Sequence, residues 1–260
     1  MSNEHNYIIF TDLDGTLLNH HSYDYQATLP LLEQLKRLGI PVILNSSKTL
    51  AELEVWQEKL GLQTPMIAEN GGVILLLPTA ENNKHLIGRP YQEICWLINE
   101  IRSESDWLFE GFNDWTAEEV MTQTGLSLDE ASAAKQRDVT EPILWLDTDE
   151  NLAVFKKLLS QSGLTLKKGG RFYHVMAEHD KADAMASICS LEQFNPKQNI
   201  NTIALGDGEN DLAMLKAADL PVVLPAASGR SLNVDNAYYA QSEAPFGWVE
   251  AIESILLNSK

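Results

Sequence analysis

The sequence predicts an α/β protein, a parallel sheet with a ligand site at its carboxyl edge, interrupted by an inserted α+β unit. Three observations predict it. Short apolar runs (Tyr7-Ile8-Ile9, Pro41 to Leu44, Met66-Ile67-Ala68, Thr202 to Leu205, Pro221 to Leu224) each run out into a loop, and most lead on to a helical pattern. The first run, continued by Phe10 and Thr11, delivers two carboxylates, Asp12 and Asp14, into a Gly15-Thr16 turn, at the strand end where such sheets bind ligands. From about Pro78 the texture changes, and helices alternate with short strands before the sheet pattern resumes.

The paired acids need a reason to lie so close to a core. An EF-hand is excluded, because Gly15 is the fourth residue counted from Asp12 rather than the sixth and no Glu stands at the twelfth. An ordinary Asp-Gly turn accounts for Asp14 but leaves Asp12 without a purpose. A hard cation such as Mg²⁺, or an Asp nucleophile, accounts for both.

The 260 residues are 44% apolar, enough for a sizeable core in one domain or two. With 19 basic against 37 acidic residues the net charge is −18, which argues against nucleic acid or an anionic membrane as partner, so an anionic substrate must be held locally. Cys95 and Cys189 lie in separate helical patterns without metal spacing and read as free thiols. A strand already begins at Tyr7 and no apolar run is long enough to span a bilayer, so the expectation is a soluble cytoplasmic protein.

After the acids, Leu29, Leu31, Leu32, Leu35 and Leu38 recur at helical spacing up to Gly39. The second strand runs into Asn45-Ser46-Ser47-Lys48-Thr49 before a helix from about Leu50 to Leu60. Hydroxyls and a lysine at a helix start make either an anion cradle or a simple N-cap. Glu69-Asn70-Gly71-Gly72 reads as a hairpin turn into the strand Val73 to Leu77, at the same end of the sheet as the earlier loops.

Thr79 to Lys84 reads as a linker. Helices are then expected at Tyr91 to Ile101, Ala117 to Gln123, Leu128 to Lys135 and Leu152 to Leu159. Strands are expected at Trp107 to Phe109, Ile143 to Leu146, and Leu164 to Lys168 paired with Arg171 to Met176 around Gly169-Gly170. The tryptophans of this unit read as core or interface aromatics. Lys181 then opens a helix, where a cation is electrostatically unfavourable unless an anion meets it or water screens it. Asp207 falls at a strand end in Gly206-Asp207-Gly208-Glu209-Asn210-Asp211, with Asp211 near a helix start and Trp248 to Leu257 as the last helix. His20, His21, His85 and His179 sit in polar loops and read as solvated.

Asp12-Leu13-Asp14-Gly15-Thr16, the Ser46-Ser47 pair, Lys181 and Gly206 to Asp211, in that order, resemble the haloacid dehalogenase (HAD) superfamily of phosphohydrolases. The resemblance covers the whole chain. It implies a Rossmann-like HAD core, residues 1–82 and 169–260, with an inserted α+β cap of the C2 type, residues 83–168, as in the Cof-type group. Narrower features are Asn45 to Thr49, where most Cof-type relatives read Thr-Gly-Arg, Ala68 to Gly72, and Arg171-Phe172-Tyr173-His174; these are similar to mannosyl-3-phosphoglycerate phosphatases.

The resemblance implies that Asp12 is the nucleophile and Asp14 the general acid and base, with Lys181 neutralising transition-state charge. It implies Mg²⁺ on the Asp12 and Asp207 side chains and the Asp14 backbone carbonyl, with Asp211 orienting that shell. Ser46 or Ser47 would bind phosphate, and Lys48, Asn70, Arg171 and His174 the rest of a small phosphorylated metabolite. The expected reaction is Mg²⁺-dependent hydrolysis of a phosphomonoester, mannosyl-3-phosphoglycerate first and a general sugar phosphate second. An idle binding module would normally have lost Asp12, Asp14 or Lys181, and all three are present.

Overall fold

A computed structural model describes residues 7–77, 83–169, 171–194, 200–226, 229 and 232–257. The chain opens with β1 (Tyr7–Thr11), α1 (Leu29–Arg37), β2 (Val42–Asn45), α2 (Leu50–Leu60), β3 (Met66–Ala68), β4 (Val73–Leu75) and β5 (Lys84–Leu86). A second unit follows as α3 (Tyr91–Ser103), β6 (Phe109–Gly111), α4 (Ala117–Thr124), α5 (Leu128–Ala134), β7 (Thr140–Trp145), α6 (Asp149–Gln161), β8 (Leu164–Gly169) and β9 (Phe172–Ala177). The chain returns through α7 (Lys181–Cys189), β10 (Asn201–Gly206), α8 (Leu212–Ala217), β11 (Leu220–Val223), β12 (Tyr238–Tyr239) and α9 (Phe246–Ile252).

The core sheet runs β12-β11-β10-β1-β2-β3-β4-β5, parallel from β12 to β3 and antiparallel at β4 and β5. Alternation along β1 assigns its side chains to two layers. Ile9 packs with Leu35 of α1, Leu53 of α2 and Trp248 of α9, while Ile8 and Phe10 pack with Met185 of α7 and Met214 of α8. All eight side chains are almost fully buried, and each contributes about 1.5–3 kcal/mol of transfer free energy. Because the chain leaves β1 toward β2 on one side and finds β10 on the other, the strand order reverses here. That switch point opens a crevice at the carboxyl ends of β1 and β10.

The second sheet is antiparallel, β6-β7-β9-β8. One of its faces is covered by Ile94 and Ile98 of α3 and Phe155 and Leu159 of α6, the other by Phe112, Trp115, Val120 and Ala131. Trp145 stacks on Phe155 at 5.3 Å, so this tryptophan is a core aromatic.

Two strand assignments move the edges of the inserted unit. Lys84 and Leu86 pair with β4 in the core sheet, and β9, paired with β8 from Leu164↔Ala177 to Gly169↔Phe172, belongs to the second sheet. The expected boundary at 168/169 falls inside that hairpin. The linker expected at Thr79 to Lys84 lies outside the described residues as far as residue 82, as does Gly170. Strand β5 escaped the sequence reading because Lys84, His85 and Leu86 are all exposed and leave no apolar alternation.

Candidate active site

Strand β1 pairs with β10 so that Thr11 lies opposite Leu205, and the Asp12 N–H donates to the Leu205 carbonyl at 3.0 Å. That register places Asp12 and Asp207 side by side just beyond the sheet. Two glycines let the loops close. A Cβ on Gly15, whose φ is 81°, would lie 2.7 Å from Asp207 Oδ2, and one on Gly206 would lie 2.4 Å from Asp211 Cβ. Thr16 Oγ1 donates to Asp207 Oδ1 at 3.2 Å, fixing that carboxylate.

Lys181 comes in from α7. Asp180 caps this helix, accepting from the N–H groups of Ala182 and Asp183 at 2.9 and 3.1 Å, and Asn45 Nδ2 donates to the Lys181 carbonyl at 3.0 Å. The helix start is thereby tied to the end of β2. Lys181 Nζ, with no exposed surface, lies 2.6 Å from Asp12 Oδ1 and 2.6 Å from Asp211 Oδ1. The cation at a helix N-terminus is met by two anions. Burial works against its charge, but Asp12 and Asp211 outweigh that and hold the Lys181 pKa above the usual lysine value.

Asp12, Asp207 and Asp211 offer carboxylate oxygens all within 4.8 Å of one another. Burial, with the neighbouring carboxylates adding to it, pushes Asp12 up to about 8 and Asp207 up to about 7. A hard divalent cation would hold both ionised, so the donor set fits an ion such as Mg²⁺. Asp211 joins this side-chain cluster beside the expected Asp12 and Asp207. Both Asp211 oxygens are engaged, Oδ1 with Lys181 and Oδ2 with the N–H groups of Asp207 and Gly208 at 3.1 and 3.0 Å. Asp211 is thus built to hold the lysine and the acidic loop in place.

Asp14, on the turn after β1, faces a different partner. Lys48 Nζ lies 3.0 Å from Asp14 Oδ2 and 3.5 Å from Glu52 Oε1. Burial opposes the lysine charge, but Asp14 and Glu52 raise its pKa above the usual value. Asp14 Oδ1 has no hydrogen-bond partner among the described residues although it is buried. Ser46, two residues before Lys48, is fully buried, its Oγ accepting from the Lys48 N–H at 3.3 Å, whereas Ser47 is half-buried. Thr49 caps α2 with a reciprocal Glu52 bond, so N-cap and loop roles coexist. Asn70, with φ 57°, accepts from Asn210 Nδ2 at 3.3 Å, which joins the β3–β4 turn to the acidic loop.

Arg171 and His174 stand apart from the acids, and the reading of His179 is corrected. Arg171 is exposed and donates to the Gln123 carbonyl at the end of α4; no hydrogen bond or ion pair among the described residues joins it to the acids. His174 is buried, and burial together with the Arg137 and Lys181 charges drives its pKa down to about 3, which favours the neutral ring. His179, read as solvated, is buried against Gly72 and Gly88, where a Cβ would come within 2.6 and 2.9 Å of its ring nitrogens.

Two contributors were missed. Arg137 donates to the Ser47 carbonyl at 3.0 Å, Thr140 Oγ1 at 3.2 Å and the Ala134 carbonyl at 2.9 Å, locking an inserted-unit guanidinium against the hydroxyl loop. Glu69, fully buried with φ 51°, accepts from Asp138 N, Val139 N and Thr140 Oγ1 at 2.7, 3.0 and 2.7 Å. Nothing in the sequence near Arg137 signals its role. A carboxylate in a turn between buried strands was the available signal for Glu69.

The parallel sheet, the acids at its carboxyl edge and the inserted unit define a class, an α/β protein with an acidic centre at the strand-order switch point. The chain belongs to the haloacid dehalogenase-like hydrolase family, whose model it matches over residues 9–237. It is 35% identical over 263 residues to the glucosyl-3-phosphoglycerate/mannosyl-3-phosphoglycerate phosphatase of Persephonella marina, covering 96% of this chain and 97% of that one. The protein of the same name from Methanococcoides burtonii is 37% identical over 268 residues, with the same coverage. A crystal structure from Thermoplasma acidophilum shares the fold with a TM-score of 0.68 at 15% identity, covering 96% of each chain. No helix among the described residues is long and apolar enough to cross a membrane.

Proposed function

We propose that this hydrolase is a Mg²⁺-dependent phosphatase of glycosyl-3-phosphoglycerates, mannosyl-3-phosphoglycerate in particular, working through a phospho-aspartate on Asp12. The observation that carries the reading is Lys181, buried between Asp12 and Asp211 with Asp207 alongside. The substrate class rests on the two relatives that match over nearly the whole chain.

Asp12 attacks phosphorus, the ester P–O bond breaks, and the leaving oxygen takes the proton from Asp14. In the second half Asp14 takes a proton from water, whose oxygen attacks phosphorus and releases inorganic phosphate and Asp12. Mg²⁺, when held by Asp12, Asp207 and the Asp14 backbone carbonyl, supplies charge neutralisation and in-line placement. Lys181 offsets the charge that builds on the phosphoryl oxygens, and Ser46 with the N–H groups of its loop binds the phosphate. Lys48 keeps Asp14 in place and, with Arg137, gives the leaving group's carboxylate a positive surface. His174 contributes a neutral ring. The proposal takes a small phosphorylated metabolite as the partner and the cytoplasm as the site of action.

The test is phosphate release with and without Mg²⁺. A kcat/KM for mannosyl- or glucosyl-3-phosphoglycerate well above that for hexose phosphates, abolished by EDTA, is expected. A preference for neutral hexose phosphates would leave a general sugar phosphatase, and full turnover in metal-free buffer would remove the mechanism.

A further inference from the structure

The loop between β1 and α1 holds an aromatic side chain that the acid chemistry does not use. Tyr23 has φ 55°, a left-handed conformation that a bulky L-residue rarely adopts. The loop is built to hold it. Asn19 Oδ1 accepts from the N–H groups of His21 and Ser22 at 3.0 Å each, the Asn19 carbonyl accepts from the Tyr23 N–H at 3.0 Å, and Asn19 Nδ2 is anchored to the Ala244 carbonyl at 3.0 Å.

What the conformation achieves is the placement of the ring. Tyr23 stacks on Trp56 of α2 at 6.4 Å and 25°, and Trp56 is backed edge-on by Tyr25 at 5.7 Å. Lys48 Nζ lies 5.6 Å from the Tyr23 ring centroid and 3.0 Å from Asp14 Oδ2. An aromatic face therefore stands one side chain away from the carboxylate assigned to protonate the leaving group. That side of the centre is the open one, because the Asp14 side chain is 31% exposed and Tyr23 is 38% exposed, against 9% for the Asp12 side chain. Glu52 on α2 and Glu130 on α5 add negative charge near the Tyr23 hydroxyl, but their carboxylates are engaged with Thr49 and Lys48 and with Ser127.

A part-exposed aromatic ring beside the Lys48–Asp14 pair suits a pyranose, which presents C–H groups to the ring and hydroxyls to the charged groups next to it. We propose that Tyr23 is a specificity-determining residue on which the glycosyl ring of the leaving group packs. The inference rests on the glycosyl-3-phosphoglycerate reading and adds to it the surface that recognises the sugar.

Wild type, Tyr23→Phe and Tyr23→Ala are compared with mannosyl-3-phosphoglycerate as substrate and D-3-phosphoglycerate, which has the phosphate and carboxylate but no sugar, as competitor. Tyr23→Ala should raise KM for the glycosylated ester about five- to tenfold with kcat within about twofold, and Tyr23→Phe should stay near wild type. The competition constant of D-3-phosphoglycerate should be the same in all three. An unchanged KM in Tyr23→Ala, or an equal loss on both compounds, overturns the inference while leaving the substrate reading intact. A wild type that binds the bare and glycosylated esters alike overturns the substrate reading and this inference with it.

Discussion

Lys181 is the residue on which the sequence and the structure meet most closely. Its place at a helix start is electrostatically unfavourable by itself, and the structure supplies the two carboxylates that offset it, each 2.6 Å away. Asp12, Asp14, Asp207 and Asp211 were legible for a related reason: acids beside glycines at strand ends form a pattern short enough to read locally. Arg137, Glu69 and Tyr23 were not, because their partners are brought in by the fold; Ser47 lies 90 positions from Arg137 and Val139 70 from Glu69. The reading of His174 failed on burial, which no local pattern shows. That burial has a measurable consequence. The folded pKa of His174, about 3, lies below the ordinary value of 6.5, so below pH 6.5 the unfolded chain takes up a proton that the native one does not. Its contribution to stability is full above that pH and is lost as the pH falls toward 3. Asp12 and Asp207, with raised pKa values, act in the opposite sense, so the comparison is made between wild type and His174→Gln by denaturant unfolding. The stability difference between them should shift by on the order of 2 kcal/mol from pH 7 to pH 5. A difference independent of pH would contradict the buried neutral imidazole.

At the scale of elements, the helix Leu50–Leu60 and the strand Met66–Ala68 stand where the sequence places them. Thr49 and Gly61 explain the sharp ends of the first, one as N-cap and the other as a left-handed C-cap. The short edge strands β5 and β12 were illegible, since an exposed edge of two or three residues has no buried face to set a period. The Glu69 to Gly72 turn is the hairpin connection that its sequence predicts, but it also joins the two units. A Cβ on Gly71 would fall 2.0 Å from the Asp180 carbonyl, so the turn packs directly on the start of α7, while the Glu69 carboxylate holds the segment leading into β7. Removing that carboxylate leaves three donors of the inserted unit without their acceptor. Glu69→Ala should cost on the order of 3 kcal/mol, lowering the melting temperature by roughly 5–10 °C, as calorimetry would show. A variant melting within about a degree of wild type would mean that water replaces the tether freely.

The whole molecule reads as a negatively charged scaffold, net −18, that concentrates its few useful cations where an anion must be held. The βαβ order and the family were legible in the sequence, because each strand end carried its own chemical marker. The edges of the insertion were less so, since β8 and β9 are a continuous hairpin whose membership is decided by pairing with β7 and not by composition. The account stands or falls on Asp12, whose position between Lys181 and Asp207 is the reason for reading phosphoryl transfer at all. The measurement is turnover of mannosyl-3-phosphoglycerate by Asp12→Asn in saturating Mg²⁺, with the fold checked by circular dichroism. An amide cannot become an acyl phosphate, so a correctly folded variant should lose at least about a thousandfold, on the order of 4 kcal/mol in the barrier. Retention of more than about a tenth of wild-type turnover, under 1.4 kcal/mol, would contradict Asp12 as the nucleophile.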